Sequence, residues 1–149
     1  MTQFRPAAFD DIPFITNLLA EFYAKQGTAS YGIPFDAQST LLTVERVVRH
    51  GICLVGPTSC AGAMLMPFPY NHNVVTAHVM FWYFKRAREI KIFETLIACC
   101  LKARATHVSA SSHSPRHIIG RLYEKWELRP VEGLHMGPLI NVALQPQQG

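Results

Sequence analysis

The sequence predicts an α/β (α+β) domain in which a mixed sheet carries helices on both faces. Three observations lead there. Strand-like and helix-like periods follow one another in the order β-α-α-β-β-β-α-β-α-β-β, a pattern of layers rather than of bundles or sandwiches. The longest strand-like block, Val74 to Phe84, is apolar on both faces, as a strand central in its sheet would be. Finally, 149 residues suffice for one domain that buries roughly two-thirds of the surface its unfolded chain exposes. No repeat or linker interrupts the chain, so residues 1–144 are expected to form a single domain and 145–149 a loose tail.

The elements are justified in chain order. Gln3 to Ala8 reads as an edge strand. Asp10 or Asp11 then caps a helix whose first turn tolerates Pro13, and Ile12, Ile15, Leu19 and Phe22 repeat at helical spacing. This helix runs to about Gln26-Gly27. The aperiodic stretch from Gly27 to Asp36 is a loop, and a second helix follows with Leu41, Val44 and Val48 on its buried face and a stop at His50-Gly51. From Ile52 the period becomes two. Residues 52–55 and 61–68 form a hairpin around Gly56-Pro57-Thr58-Ser59, and a second turn at 70–73 leads into the long strand. Phe93, Leu96, Ile97 and Cys100 mark a third helix, His107 to Ala110 a strand and Pro115 to Lys125 a fourth helix. A short strand at 129–132 and a last one at 134–142 complete the order.

Composition excludes several classes. The chain is 49% hydrophobic and 16% charged, no apolar run approaches the ~20 residues of a membrane span, and the N-terminus lacks the regions of a signal peptide. A cytoplasmic protein with no membrane partner is expected. The four cysteines have neither metal-ligand spacing nor scaffold density, so they read as reduced core thiols; Cys99 and Cys100 lie on a helix face with no activating base, which rejects a nucleophilic role. No metal site is expected. The net charge of +4 favours an anionic partner, but much of the charge is concentrated between Lys85 and Arg104, with no aromatic-interleaved basic stripe, which disfavours nucleic acid.

The strongest functional signal is the junction of the strand ending at Phe84 with Lys85-Arg86-Ala87-Arg88 and the helix that follows. A helix N-terminus offers free N–H groups and the positive end of the macrodipole, so strand, basic turn and helix start together make an anion site. Yet no glycine lies between Val79 and Arg116, although phosphate-cradling loops use glycine to let the backbone approach the ligand.

Three segments in order carry a resemblance across nearly the whole chain. They are Arg5-Pro6-Ala7 through Leu18-Leu19-Ala20-Glu21-Phe22-Tyr23, the block Phe81 to Leu96, and Leu122-Tyr123-Glu124-Lys125-Trp126-Glu127-Leu128-Arg129-Pro130. Together the chain resembles the GNAT superfamily of acyl-CoA-dependent N-acyltransferases, in a divergent form. The resemblance implies a mostly antiparallel central sheet and transfer of acetyl from acetyl-CoA to an amine of a small molecule or protein. It also implies a cofactor loop comprising Phe84, Lys85, Arg86, Arg88, Glu89, Ile90 and Lys91. The family pattern Arg/Gln-x-x-Gly-x-Gly/Ala falls on Arg88, with Lys91 and Phe93 at the two glycines. Arg116 falls where the family often has an asparagine on the cofactor arm, and Glu127 where it usually has glycine.

Within that resemblance, Tyr123 stands where a tyrosine often protonates the leaving thiolate. The family commonly takes its base from a carboxylate on the central strand, and this sequence has no Asp or Glu between Glu45 and Glu89. His78 is the substitute, with an intrinsic pKa near working pH, ahead of His72. His113, Arg116 and His117 read as a solvated helix start rather than a metal site. The alternative function is a catalytically silent GNAT-like fold acting as a binding or assembly component, of the kind some bacteriophages encode. Pairing into a homodimer is a further expectation from the family.

Overall fold

The computed structural model describes residues 3–27, 32–111 and 118–128. One five-stranded sheet organises them, in the spatial order β1-β2-β3-β4-β5. Its strands are β1 (Arg5–Pro6), β2 (Ile52–Gly56), β3 (Ser59–Phe68), β4 (Asn71–Phe84) and β5 (His107–Ser109). Pairing is antiparallel from β1 to β4, and β5 joins β4 in parallel. The helices are α1 (Ile12–Phe22), α2 (Ala37–His50), α3 (Ile92–Lys102) and α4 (Ile118–Lys125). The mixed, mostly antiparallel sheet expected from the sequence is therefore present. The expected strands at 129–132 and 134–142, the tail, and residues 113, 116 and 117 lie outside the described residues.

Alternation along the strands sends side chains to two cores. Cys53, Val55 and Cys60 pack with Ile12, Ile15, Leu18 and Leu19 of α1 and with Val44 and Val47 of α2. Leu54, Ala61, Ala63 and Ala77 face Ile92, Leu96 and Cys100 of α3. Small residues dominate the sheet on the α3 side, so the large side chains come from the helix.

Several boundaries move for physical reasons. The first strand is shorter than 3–8 because Pro6 has no N–H to donate to a ladder. Asp11 does not cap α1 with its side chain; its carboxylate takes the Ala8 N–H at 2.7 Å and a two-pronged donation from Arg5 at 2.8 Å on each oxygen. After Phe22 the first helix continues as a π turn, Tyr23–Gly27. Asp36 caps α2 by accepting from the Ser39 N–H at 2.8 Å. Gly51 ends that helix with an ordinary negative φ of −113°, and it is small because a Cβ there would lie 2.3 Å from the Ala63 carbonyl of β3. The second turn tightens to residues 69–70, so β4 begins at Asn71, three residues before the expected Val74.

Candidate functional site

β4 and β5 make a fork. Their parallel pairing holds from Thr76 opposite His107 to His78 opposite Ser109. β4 then runs on to Phe84 with β5 no longer beside it. Just past the apex, register with β3 jumps from Ala63 opposite Val79 to Gly62 opposite Phe81, leaving Met80 as the extra residue of a bulge. A bulge bends its strand and increases its twist, and this one lies where the β4–β5 pairing ends.

Tyr123 of α4 bridges that gap. Its hydroxyl accepts from the indole N–H of Trp82 on β4 at 3.1 Å and donates to the carbonyl of Ser111, beyond β5, at 2.9 Å. Burial raises its pKa, and the Trp82 hydrogen bond offsets only part of the rise. The phenol therefore stays protonated at neutral pH. Trp82, Tyr123 and Trp126 close around Phe93 of α3, with ring centroids 4.8, 5.8 and 4.9 Å from it, the last pair stacked within 9°. Phe93 thus points wholly into the core at 1% exposure.

His78 stands at the apex of the fork. Ala77 faces α3, so His78 faces the α1–α2 side, where its Nδ1 shares a 2.7 Å hydrogen bond with Ser109 Oγ. That leaves Nε2 free of any described partner. Two residues back on the same face, the Thr76 hydroxyl is buried without a hydrogen-bond partner among the described residues. His72 lies far along β4, in the exposed start of the strand.

The basic turn forms one edge of the fork. Between β4 and α3 the chain makes a 3-10 turn, Ala87–Lys91. Lys85 is tied to Glu21 of α1, with 3.2 Å between nitrogen and oxygen. Arg86, Arg88 and Lys91 are exposed and make no side-chain hydrogen bond or ion pair to a described residue. Phe84 is half-buried and stacks on Trp82 at 5.6 Å; Ile90 is half-buried beneath the turn. Glu89 is different: it is only 3% exposed and points inward to the β2–β3 turn. Its carboxylate accepts from the Thr58 N–H at 2.9 Å, from the Thr58 hydroxyl and from Ser59 Oγ at 2.7 Å. Burial alone would raise its pKa, but these donors and the nearby Arg86 charge outweigh it and hold Glu89 below the usual carboxylate value.

The departure at Glu127 is accommodated. Its φ is +60°, the left-handed conformation that favours glycine. The Leu128 N–H reaches the Tyr123 carbonyl at 2.8 Å and the Glu127 N–H the Glu124 carbonyl at 2.9 Å, so α4 ends in a Schellman motif. α3 ends the same way, with Arg104 at φ +73°. Among the residues brought together here, Thr58, Ser59, Ser109 and Ser111 were not singled out by sequence. Nothing local marks them; each acts through a partner distant in the chain.

The fold recurs in solved structures. A predicted acetyltransferase of Clostridium acetobutylicum, solved with acetyl-CoA, superposes with a TM-score of 0.73 at 12% identity over 95% of this chain and 98% of its own. A ribosomal-protein-alanine N-acetyltransferase from Brucella melitensis biovar Abortus gives 0.62 at 14% identity over 91% and 97%. An aminoglycoside N-acetyltransferase in complex with CoA gives 0.60 at 11% identity over 91% and 92%. No family model matches the sequence, and no curated protein does. The chain has the GNAT acetyltransferase fold.

Proposed function

We propose that this chain is an acyl-CoA-dependent N-acyltransferase that moves acetyl from acetyl-CoA to an amine. The observation that carries the reading is the fork: β4 and β5 part beside an exposed cationic turn, and a neutral tyrosine hydroxyl spans the opening. Neighbours of the same fold solved with acetyl-CoA or CoA support it. Acetyl-CoA would supply an activated thioester carbonyl.

The residues present suit such a ligand. Arg86, Arg88 and Lys91 place three uncommitted cations at the start of α3, where the first N–H groups of the 3-10 turn have no intrahelical acceptor. These are the groups we assign to the pyrophosphate, with Phe84 and Ile90 as the apolar support of the turn. Arg116 is assigned to the cofactor arm by resemblance alone. At the apex, His78 Nε2 takes a proton from the acceptor ammonium while Ser109 fixes the other ring nitrogen. At the opening, Tyr123 turns its proton from the Ser111 carbonyl to the departing thiolate, a group that a phenol kept neutral at pH 7 can protonate.

Isothermal titration with acetyl-CoA and with CoA at two salt concentrations tests the reading. Micromolar binding that weakens with salt is expected, followed by turnover in a screen of amines. Tyr123→Phe should lower kcat by about a hundredfold while leaving CoA affinity within about twofold; equal turnover removes Tyr123 from the chemistry. No binding at millimolar CoA would overturn the enzyme reading and leave a silent fold that works through partners.

A further inference from the structure

We infer that Glu89 is a positioning residue for the anion-binding turn, and that its clasp on the β2–β3 turn does the work that glycines do in other members of the fold. The inference rests on the acyl-CoA reading and deepens it. A glycine-rich loop binds phosphate because its backbone adopts a shape that side chains would obstruct. Here each position carries a side chain, so the shape has to be held from behind.

The holding contacts converge on one place. Lys85 donates its N–H to the Thr58 carbonyl at 3.1 Å, and the Glu89 N–H returns to the Arg86 carbonyl at 2.8 Å. The Glu89 carboxylate then collects the Thr58 N–H, the Thr58 hydroxyl and the Ser59 hydroxyl. The turn is thus tied at both ends to a hairpin that belongs to the rigid sheet. Fit is close: a Cβ on Gly56 would lie 2.8 Å from Glu89 Oε1 and 2.2 Å from Ser59 Oγ. With Glu89 drawn inward, Arg86, Arg88 and Lys91 are left on the solvent side of the turn. The arrangement also resolves an electrostatic conflict, because a carboxylate facing outward would repel a pyrophosphate, whereas this one is turned to three donors.

The clasp needs hydrogen-bond acceptors and shape, not a negative charge. In Glu89→Gln the amide oxygen retains two of the donors, and the amide nitrogen can donate to the Thr58 hydroxyl oxygen. In Glu89→Ala the Thr58 N–H and two hydroxyls lose their partner. Thr58→Val removes one hydroxyl and keeps the Thr58 N–H as a donor to Glu89.

The test is CoA titration of these three variants beside the unmodified protein, with amide hydrogen exchange of residues 86–91 measured without ligand. Glu89→Ala should weaken CoA about tenfold, the equivalent of one good hydrogen bond lost to preorganisation, and speed exchange across the turn. Thr58→Val should do both to a smaller extent, and it keeps the test alive should Glu89→Ala fail to fold. Glu89→Gln should bind CoA as tightly as the unmodified protein or more tightly. If the unmodified protein binds CoA while Thr58→Val and Glu89→Ala bind equally well, or if Glu89→Gln loses as much as Glu89→Ala, the positioning role is overturned. If the unmodified protein binds no CoA, the acyl-CoA reading fails first and the inference falls with it.

Discussion

Thr76 carries a buried hydroxyl that has no hydrogen-bond partner among the described residues. Its hydroxyl is removed from water on a residue only 6% exposed, and a buried hydroxyl without a partner costs roughly 1–3 kcal/mol. Thr76→Val keeps the shape and removes the penalty, so the variant is expected to be more stable by about 1 kcal/mol in denaturant unfolding. A loss of stability would show that the hydroxyl has a partner after all. Glu89 makes the opposite case, a buried acid with every donor it needs. Because its folded pKa lies below the ordinary 4.5, its contribution to stability is complete above that pH and is lost as pH falls through the folded value. The Tm advantage of the unmodified protein over Glu89→Gln should therefore shrink on acidification below about pH 4.5 and stay constant above it; an advantage that grew with acidity would contradict the depressed pKa. Neither residue could be weighed in this way from sequence. Glu89 stood out only as part of a basic loop, since its donors lie 30 residues away in a hairpin turn whose own residues signal nothing beyond Gly-Pro.

At the scale of elements, α3 is held by one aromatic side chain. Phe93 is not an obstruction in an anion site but the centre of an aromatic cluster that joins α3 to β4 and α4. Phe93→Ala is expected to cost about 3–5 kcal/mol, read from urea unfolding, and Phe93→Gly more, because glycine adds backbone entropy in a helix. A cost below about 1 kcal/mol would mean that the cluster is not packed as described. A glycine at this position would thus dismantle the core around α3. Periodicity showed this face of α3 at once, through Phe93, Leu96 and Cys100, and it showed the buried face of α2. It failed at boundaries set by contacts from elsewhere: the truncated β1 at Pro6, the 3-10 turn before α3, and Asp11, which serves Arg5 and Ala8 rather than the first turn of α1. The stop at His50-Gly51 was legible, although the reason for glycine was the approach of β3 and not a left-handed cap.

For the molecule as a whole, the order of elements carried more information than any motif. Alternating periods, a central strand apolar on both faces and a basic turn after it were enough to expect the mixed sheet with helices on each side. What order cannot convey is where two parallel strands stop pairing. The fork is accompanied by a bulge at Met80 and by a tyrosine that joins β4 to the segment beyond β5, and bulges leave no trace in hydropathy. No described helix is long and apolar enough to cross a membrane.

The four thiols have a use beyond packing. Burial pushes Cys53 up to about 12 and Cys100 to about 11, and Cys60 is pushed up as well, while Cys99 is only half-buried, at the margin of the α3 core. Reaction with an alkylating reagent needs thiolate and access, so Cys99 should be modified first in the native protein. Cys53 and Cys60 report on the α1–α2 core and Cys100 on the α3 core. Mass spectrometry of a labelling time course in mild denaturant should therefore resolve whether the two sides of the sheet come apart together. Simultaneous labelling of the three would describe one cooperative unit; earlier labelling of Cys100 would mark the wall that carries the basic turn as the one that opens. The protein contains its own stopwatch for that event.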